Sequence, residues 1–67
     1  MFAVEGYNKD ADIYVLYGFF GTYVEAKTQI NTLLPLYRHG LLIDRTTNEP
    51  IDWLNMVENH KIIGSFT

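Results

Sequence analysis

Apolar and polar residues alternate at the start of the chain. Phe2 and Val4 stand against Ala3 and Glu5, and the run closes on Gly6–Tyr7. A period of two predicts a first strand here. Asn8–Lys9–Asp10–Ala11–Asp12 is polar and rich in turn formers. Ile13–Tyr14–Val15–Leu16–Tyr17–Gly18–Phe19–Phe20 is then the strongest strand signal in the chain, almost entirely β-branched or aromatic. The short polar link predicts that these two strands form an antiparallel hairpin. Strict alternation along the second strand places Ile13, Val15, Tyr17 and Phe19 on one side and Tyr14, Leu16 and Phe20 on the other. Both sides are therefore apolar.

The pattern changes after Gly21. Thr22 and Glu25 have the spacing of a capping box, in which the threonine oxygen accepts from the Glu25 N–H and the glutamate reaches back to the Thr22 N–H. A helix is predicted from about Tyr23 to Leu34. Tyr23, Ala26, Ile30, Leu33, Leu34 and Tyr37 share one side, with Glu25, Thr28, Gln29 and Thr32 opposite. Pro35 predicts a kink, or a break followed by one short turn through His39, and Gly40 is a natural left-handed stop. Leu41–Leu42–Ile43–Asp44 reads as a third strand and Thr46–Pro50 as a loop.

The segment after Pro50 fits two patterns. As a helix, Asp52 caps it and Trp53, Met56, Val57 and His60 share a side; as a strand, Ile51 to Asn55 returns against Leu41 to Arg45. The helix over Trp53–Asn59 is preferred, because Asn55, Glu58 and Asn59 are poor strand formers. Lys61–Phe66 closes the chain as a strand. The expected fold is α+β: a single compact domain over residues 1–67, in the order β-β-α-β-(α)-β. A small antiparallel sheet of three to four strands carries the main helix on one face.

Composition sharpens this picture. A chain of 67 residues without cysteine relies on packing alone, with about 3–5 kcal/mol expected from one small core. Its 48% hydrophobic and 15% aromatic content favours folding over disorder. The net charge is −3, and the five basic residues (Lys9, Lys27, Arg38, Arg45, Lys61) are scattered, which argues against nucleic-acid binding by counterion release. No apolar run approaches the ~20 residues that span a bilayer, so no membrane association is expected. Met1 leads directly into a strand-like run without a basic leader, and a cytoplasmic location is expected.

Candidate chemistry is sparse. Asn8-x-Asp10-x-Asp12 has the opening spacing of a calcium loop, but its sixth position is Ile13 and its twelfth Phe19, so a hairpin turn is the better reading. His39 and His60 are far apart in sequence and lie near element ends, and a metal role would need carboxylates such as Asp44 or Glu58 to converge on one of them. Asp44, Glu49, Asp52 and Glu58 surround a loop, where solvated charges are ordinary. No phosphate-binding glycine loop, nucleophile elbow or Cys–His pair is present. We therefore expect no enzyme, cofactor or metal.

What remains is the second strand. One helix covers one side of it; Tyr14, Leu16 and Phe20, with Tyr7, then require another cover. An ordinary core completed by the Trp53 segment and the last strand is one answer, and a small-molecule pocket lined by the aromatics is another. The third is a recognition patch for a protein partner, since aromatic residues anchor interfaces. In its general make-up (strand first, acidic, cysteine-free) the chain resembles short accessory proteins of bacteriophages. That resemblance implies a protein that blocks or redirects a host macromolecule in the host cytoplasm, or a minor virion component. The expected function is a non-enzymatic protein-binding module, an inhibitor or modulator of a larger complex. The alternatives are a self-associating structural subunit and, third, a nucleic-acid binder.

Overall fold

The computed structural model describes residues 1–67. Four strands, β1 (Phe2–Asn8), β2 (Ile13–Phe20), β5 (Trp53–Glu58) and β6 (Lys61–Phe66), form one antiparallel sheet in the order β2-β1-β5-β6. The helix α1 (Tyr23–Arg38) lies across one face, and the two-residue strands β3 (Ile43–Asp44) and β4 (Glu49–Pro50) pair as a separate ribbon. The α+β class, the hairpin of the first two strands and the helix on one face agree with the sequence pattern. No helix is long and apolar enough to cross a membrane.

The segment after Pro50 corrects the expectation. Trp53–Glu58 is a strand rather than a helix, and it pairs with β1 and β6 instead of with the Leu41 segment. The physical reason is Leu54 and Met56, both fully buried beneath α1. Two residues apart, they point the same way in a strand, whereas a helix would set them about 200° apart. Asn55 is tolerated because it stands between Glu5 and Ser65 on the opposite face, a tertiary setting that overrides weak strand propensity. The predicted third strand shrinks to Ile43–Asp44 and stays outside the main sheet.

Thr22 caps α1 as expected: its hydroxyl oxygen accepts from the Glu25 N–H at 3.2 Å. The return half differs, because the Glu25 carboxylate accepts from the Thr22 hydroxyl at 3.0 Å. Pro35 neither breaks the helix nor splits off a turn, and α1 runs on to Arg38. Its ring is on the exposed side, as is Asn31, the residue whose carbonyl loses its helical partner. The end is a Schellman motif: Gly40, at φ 69°, donates to the Tyr37 carbonyl and Leu41 to that of Leu36. Ala26, Ile30 and Leu33 then meet Val4, Leu54 and Met56 in the core, with Phe20, Leu34, Tyr37 and Phe66 around them.

Both edge strands carry a bulge. Val4 stands opposite Gly18 and Glu5 opposite Leu16, so Tyr17 is the extra residue. The alternation inverts beyond it: Phe19 (63% exposed) faces away from the helix, while Phe20 turns in to pack on the core. This corrects the predicted sides of both residues. In β6, Met56 stands opposite Gly64 and Val57 opposite Ile62, which makes Ile63 the extra residue. In each case a phenylalanine two positions on lies over the glycine: a Cβ at Gly18 would fall 2.9 Å from the Phe20 ring, and one at Gly64 3.0 Å from the Phe66 ring. The runs Tyr17-Gly18-Phe19-Phe20 and Ile63-Gly64-Ser65-Phe66 are one device used twice, and bulged edges also resist pairing with foreign strands.

A buried polar cluster fastens the small ribbon to the sheet. The two N–H bonds of the Asn8 amide are shared among three acceptors, Asp44 (3.4 Å), Thr47 (3.2 Å) and Glu49 (3.3 Å), and its oxygen accepts from the N–H groups of Asp10 and Ala11. Residues 9–12 are thus the hairpin turn. Burial pushes the Asp44 carboxyl up, but donors on Thr46, Thr47 and Asn8 outweigh it and hold its pKa below the ordinary value.

Gly18→Ala, which adds a Cβ against Phe20 at φ +152°, costs about 1–3 kcal/mol in a urea melt, and an unchanged midpoint would contradict the bulge geometry. Because the folded pKa of Asp44 is lowered, its stabilisation is present above about pH 4 and is lost as pH falls through the folded value. Asp44→Asn therefore flattens the acid limb of stability against pH, while Asn8→Ala costs about 1–3 kcal/mol at neutral pH.

Candidate protein-docking face

The face of the sheet away from α1 is covered by no other part of the chain. Its residues fall into three cross-strand rows fixed by the register. Tyr14, Tyr7 and Trp53 form the first, on β2, β1 and β5. Leu16, Glu5, Asn55 and Ser65 form the second, and Phe19, Ala3, Val57 and Ile62 the third. The first row is an aromatic ladder, with ring centroids 4.6 Å apart between Tyr7 and Tyr14 and 5.1 Å between Tyr7 and Trp53. The third dips at Ala3, where a hollow of about 260 Å³ opens between Phe19, Val57 and His60. Tyr14 and Leu16 are about half exposed, at 52% and 53%, and Ile62 is at 52%.

Polar chemistry on this face is confined to its middle and its rim. Asn55 is fully buried; its oxygen accepts from the Ser65 hydroxyl at 2.8 Å, while its Nδ2 has no hydrogen-bond partner. Burial pushes the neighbouring Glu5 carboxyl above its ordinary pKa, and the Asn55 amide beside it draws it only partly back. At the rim, the Tyr7 hydroxyl donates to Asp12 at 2.8 Å. That bond, with burial and the charges of Asp12 and Asp52, raises the Tyr7 phenol to about 12. The ladder is thereby held at the end of the sheet that carries Asp10, Asp12 and Asp52. The opposite end carries the β5–β6 turn, with His60 and Lys61.

Of the residues expected at a partner site, Tyr14, Leu16 and Tyr7 share this face. Phe20 does not, because the bulge at Tyr17 turns it to the core and brings Phe19 out in its place. Trp53, Val57 and Ile62 complete the patch; Trp53 and Val57 were missed because their segment has a helical reading too, and Ile62, on the closing strand expected at Lys61–Phe66, was not assigned to this face. Gly18 was the available signal for the first error, since an isolated glycine within a strand marks a bulge. Gly64 carries the same signal in the last strand.

The other candidates remain apart. His39 is the exposed C-cap of α1, and His60 sits in the β5–β6 turn. Asp44 is held by Asn8, Thr46 and Thr47, and the Asp52 carboxylate accepts from the Lys9 N–H at 2.8 Å. A second groove of about 660 Å³ runs between β2 and residues 41–46, lined by Ile13, Val15, Tyr17, Leu41 and Ile43. Compared with known proteins, the chain matches no family model, no curated protein and no solved structure.

Proposed function

We propose that this chain is a non-enzymatic protein-binding module that docks through the open face of its sheet. One observation carries the reading: three rows of side chains, aromatic and aliphatic at both ends, lie on a rigid four-stranded sheet with no lid from their own chain. Leu16 and Phe19 keep 53% and 63% of their surface in water, so burying the remainder in an interface is worth about 1–2 kcal/mol each, a sizeable share of the stability of a domain this small. The rings of Tyr7, Tyr14 and Trp53 add large area at little entropic cost, the character of interface anchors. Such a module acts by occupying a surface on its partner, which suits an inhibitor or modulator of a larger assembly.

The bulge makes the proposal sharply testable. Leu16→Asp and Phe19→Asp alter only the open face and should shift the urea midpoint by no more than about 0.5 kcal/mol in stability while abolishing capture of the partner. Phe20→Asp should unfold the chain, since its ring packs on the core. Unfolding in all three variants would show the open face to be core and end the docking reading.

Glu5 provides a second test. Its pKa is raised, so the stabilisation linked to its protonated form is complete below about pH 4 and is lost as pH rises through the folded value. Glu5→Gln should therefore be more stable than the parent at neutral pH, with the difference vanishing near pH 4. A variant less stable at pH 7 would contradict the burial of this carboxyl.

A further inference from the structure

We infer that the outer edge of β2 pairs with the same edge of a second copy of this chain, antiparallel about a two-fold axis at Val15, so that the two sheets join into one. The pairing uses the edge of the sheet rather than its open face, and it holds whether or not that face docks a protein. β2 is the last strand on its side of the sheet. The Tyr7 carbonyl accepts from the Asp52 N–H at 2.8 Å, so the main chain of Tyr7 faces β5. Gly6 and Asn8 then face β2 and bond to their register partners, Val15 and Ile13. By the same alternation Tyr14 and Leu16 turn their N–H and C=O groups outward, where no other group of the chain bonds to them. Main-chain donors and acceptors left in this way are completed by another extended strand.

Edge strands that stay single are guarded by charges, proline or bulges. β6 has Lys61 at its start and a bulge at Ile63 in its middle. In β2 the bulge lies at Tyr17 and guards only the half beyond it. Ile13–Leu16 is regular in its pairing, uncharged and free of proline. Large apolar groups collect along this same half. Tyr14 and Leu16 stand half exposed on the open side; Leu41 and Ile43 stand across the groove on the helix side.

The turn before Ile13 and the bulge after Leu16 select one register. Asp12, at φ 54°, ends the extended chain on one side, and Tyr17 ends the regular alternation on the other. An axis at Val15 sets Tyr14 opposite Leu16 of the second copy, and Leu16 opposite its Tyr14. Each of those pairs exchanges both main-chain bonds. An axis at Tyr14 or at Leu16 leaves one such pair and loses half of the bonds. In the favoured register the half-exposed Tyr14 and Leu16 cover each other across the junction. Val15 meets its own counterpart on the helix side, as an isologous contact requires, and adds an apolar wall to the groove. Charge does not oppose the pairing. Ile13–Phe20 has no charged residue; Lys9, Asp10 and Asp12 in the hairpin turn, and Asp44 and Arg45 beside Asn8, all lie at the Ile13 end. Antiparallel pairing sends the two Ile13 ends to opposite ends of the junction.

The test is sedimentation of the intact chain from about 1 μM to about 1 mM, with amide hydrogen exchange measured by NMR at both ends of that range. The expected result is a concentration-dependent dimer in which the Tyr14 and Leu16 amides slow about tenfold or more, while that of Ser65, outward on the opposite edge, is unchanged. Leu16→Lys, which puts a charge on the exposed edge, should weaken the dimer about tenfold or more with the circular dichroism unchanged. Val15→Cys, at the axis, should oxidise to a covalent dimer far more completely than Thr28→Cys on the exposed side of the helix; the native sequence has no cysteine, so each introduced thiol is unique. A chain monomeric at about 1 mM, a dimer whose Tyr14 and Leu16 amides exchange as fast as in the monomer, a dimer indifferent to Leu16→Lys, or equal cross-linking at the two thiols would each overturn the edge pairing. The docking reading survives those results and falls separately, with the unfolding of Leu16→Asp and Phe19→Asp.

Discussion

A single sixteen-residue helix can seal only one side of a four-stranded sheet, and every other feature of this protein follows from that mismatch. The helical side is a finished core: Val4, Ala26, Ile30, Leu54 and Met56 are fully or almost fully removed from water. The other side has the same strands, the same spacing and abundant aromatic surface, but no second layer. Antiparallel sheets ordinarily resolve this by making one face polar. Here only the middle row does so, through Glu5, Asn55 and Ser65, and it is flanked by rows that remain apolar.

The bulges decide which residues stand on which side. Without the extra residue at Tyr17, Phe19 would enter the core and Phe20 would stand in solvent; the bulge exchanges them, as the Ile63 bulge sets Ile62 outward and Phe66 inward. Each requires a glycine beside it, roofed by the following phenylalanine ring. The irregularity thus has two consequences. It fits a large ring at each lateral margin of the core, and it twists the outer strands there in a way that discourages edge-to-edge association.

Much of this was legible in the chain. The period of two in Phe2–Tyr7, the aromatic run from Ile13, and the Thr22 cap with Gly40 as terminator located the first three elements and the left-handed stop. The surplus of apolar surface on the second strand was equally visible. Two things were not. Leu54 and Met56 have strand spacing, but Asn55 and Glu58 between and beyond them weaken the local signal; only pairing with β1 on one side and β6 on the other makes that segment a central strand. The inversion at Gly18 was invisible to a strict count of two, because a bulge is a property of the paired strands rather than of either alone. Those two errors hid half of the patch: Trp53 and Val57 through the first, Phe19 through the second.

The central claim is that the chain buries one side of its sheet beneath the helix and leaves Leu16, Phe19 and Ile62 on the other side about half or more exposed. Methyl NMR of a dilute sample with a soluble paramagnetic agent measures this residue by residue. The account predicts strong relaxation at Leu16, Val57 and Ile62, and protection of Ile30, Leu33 and Leu54. Equal protection of both sets in a demonstrated monomer would contradict it.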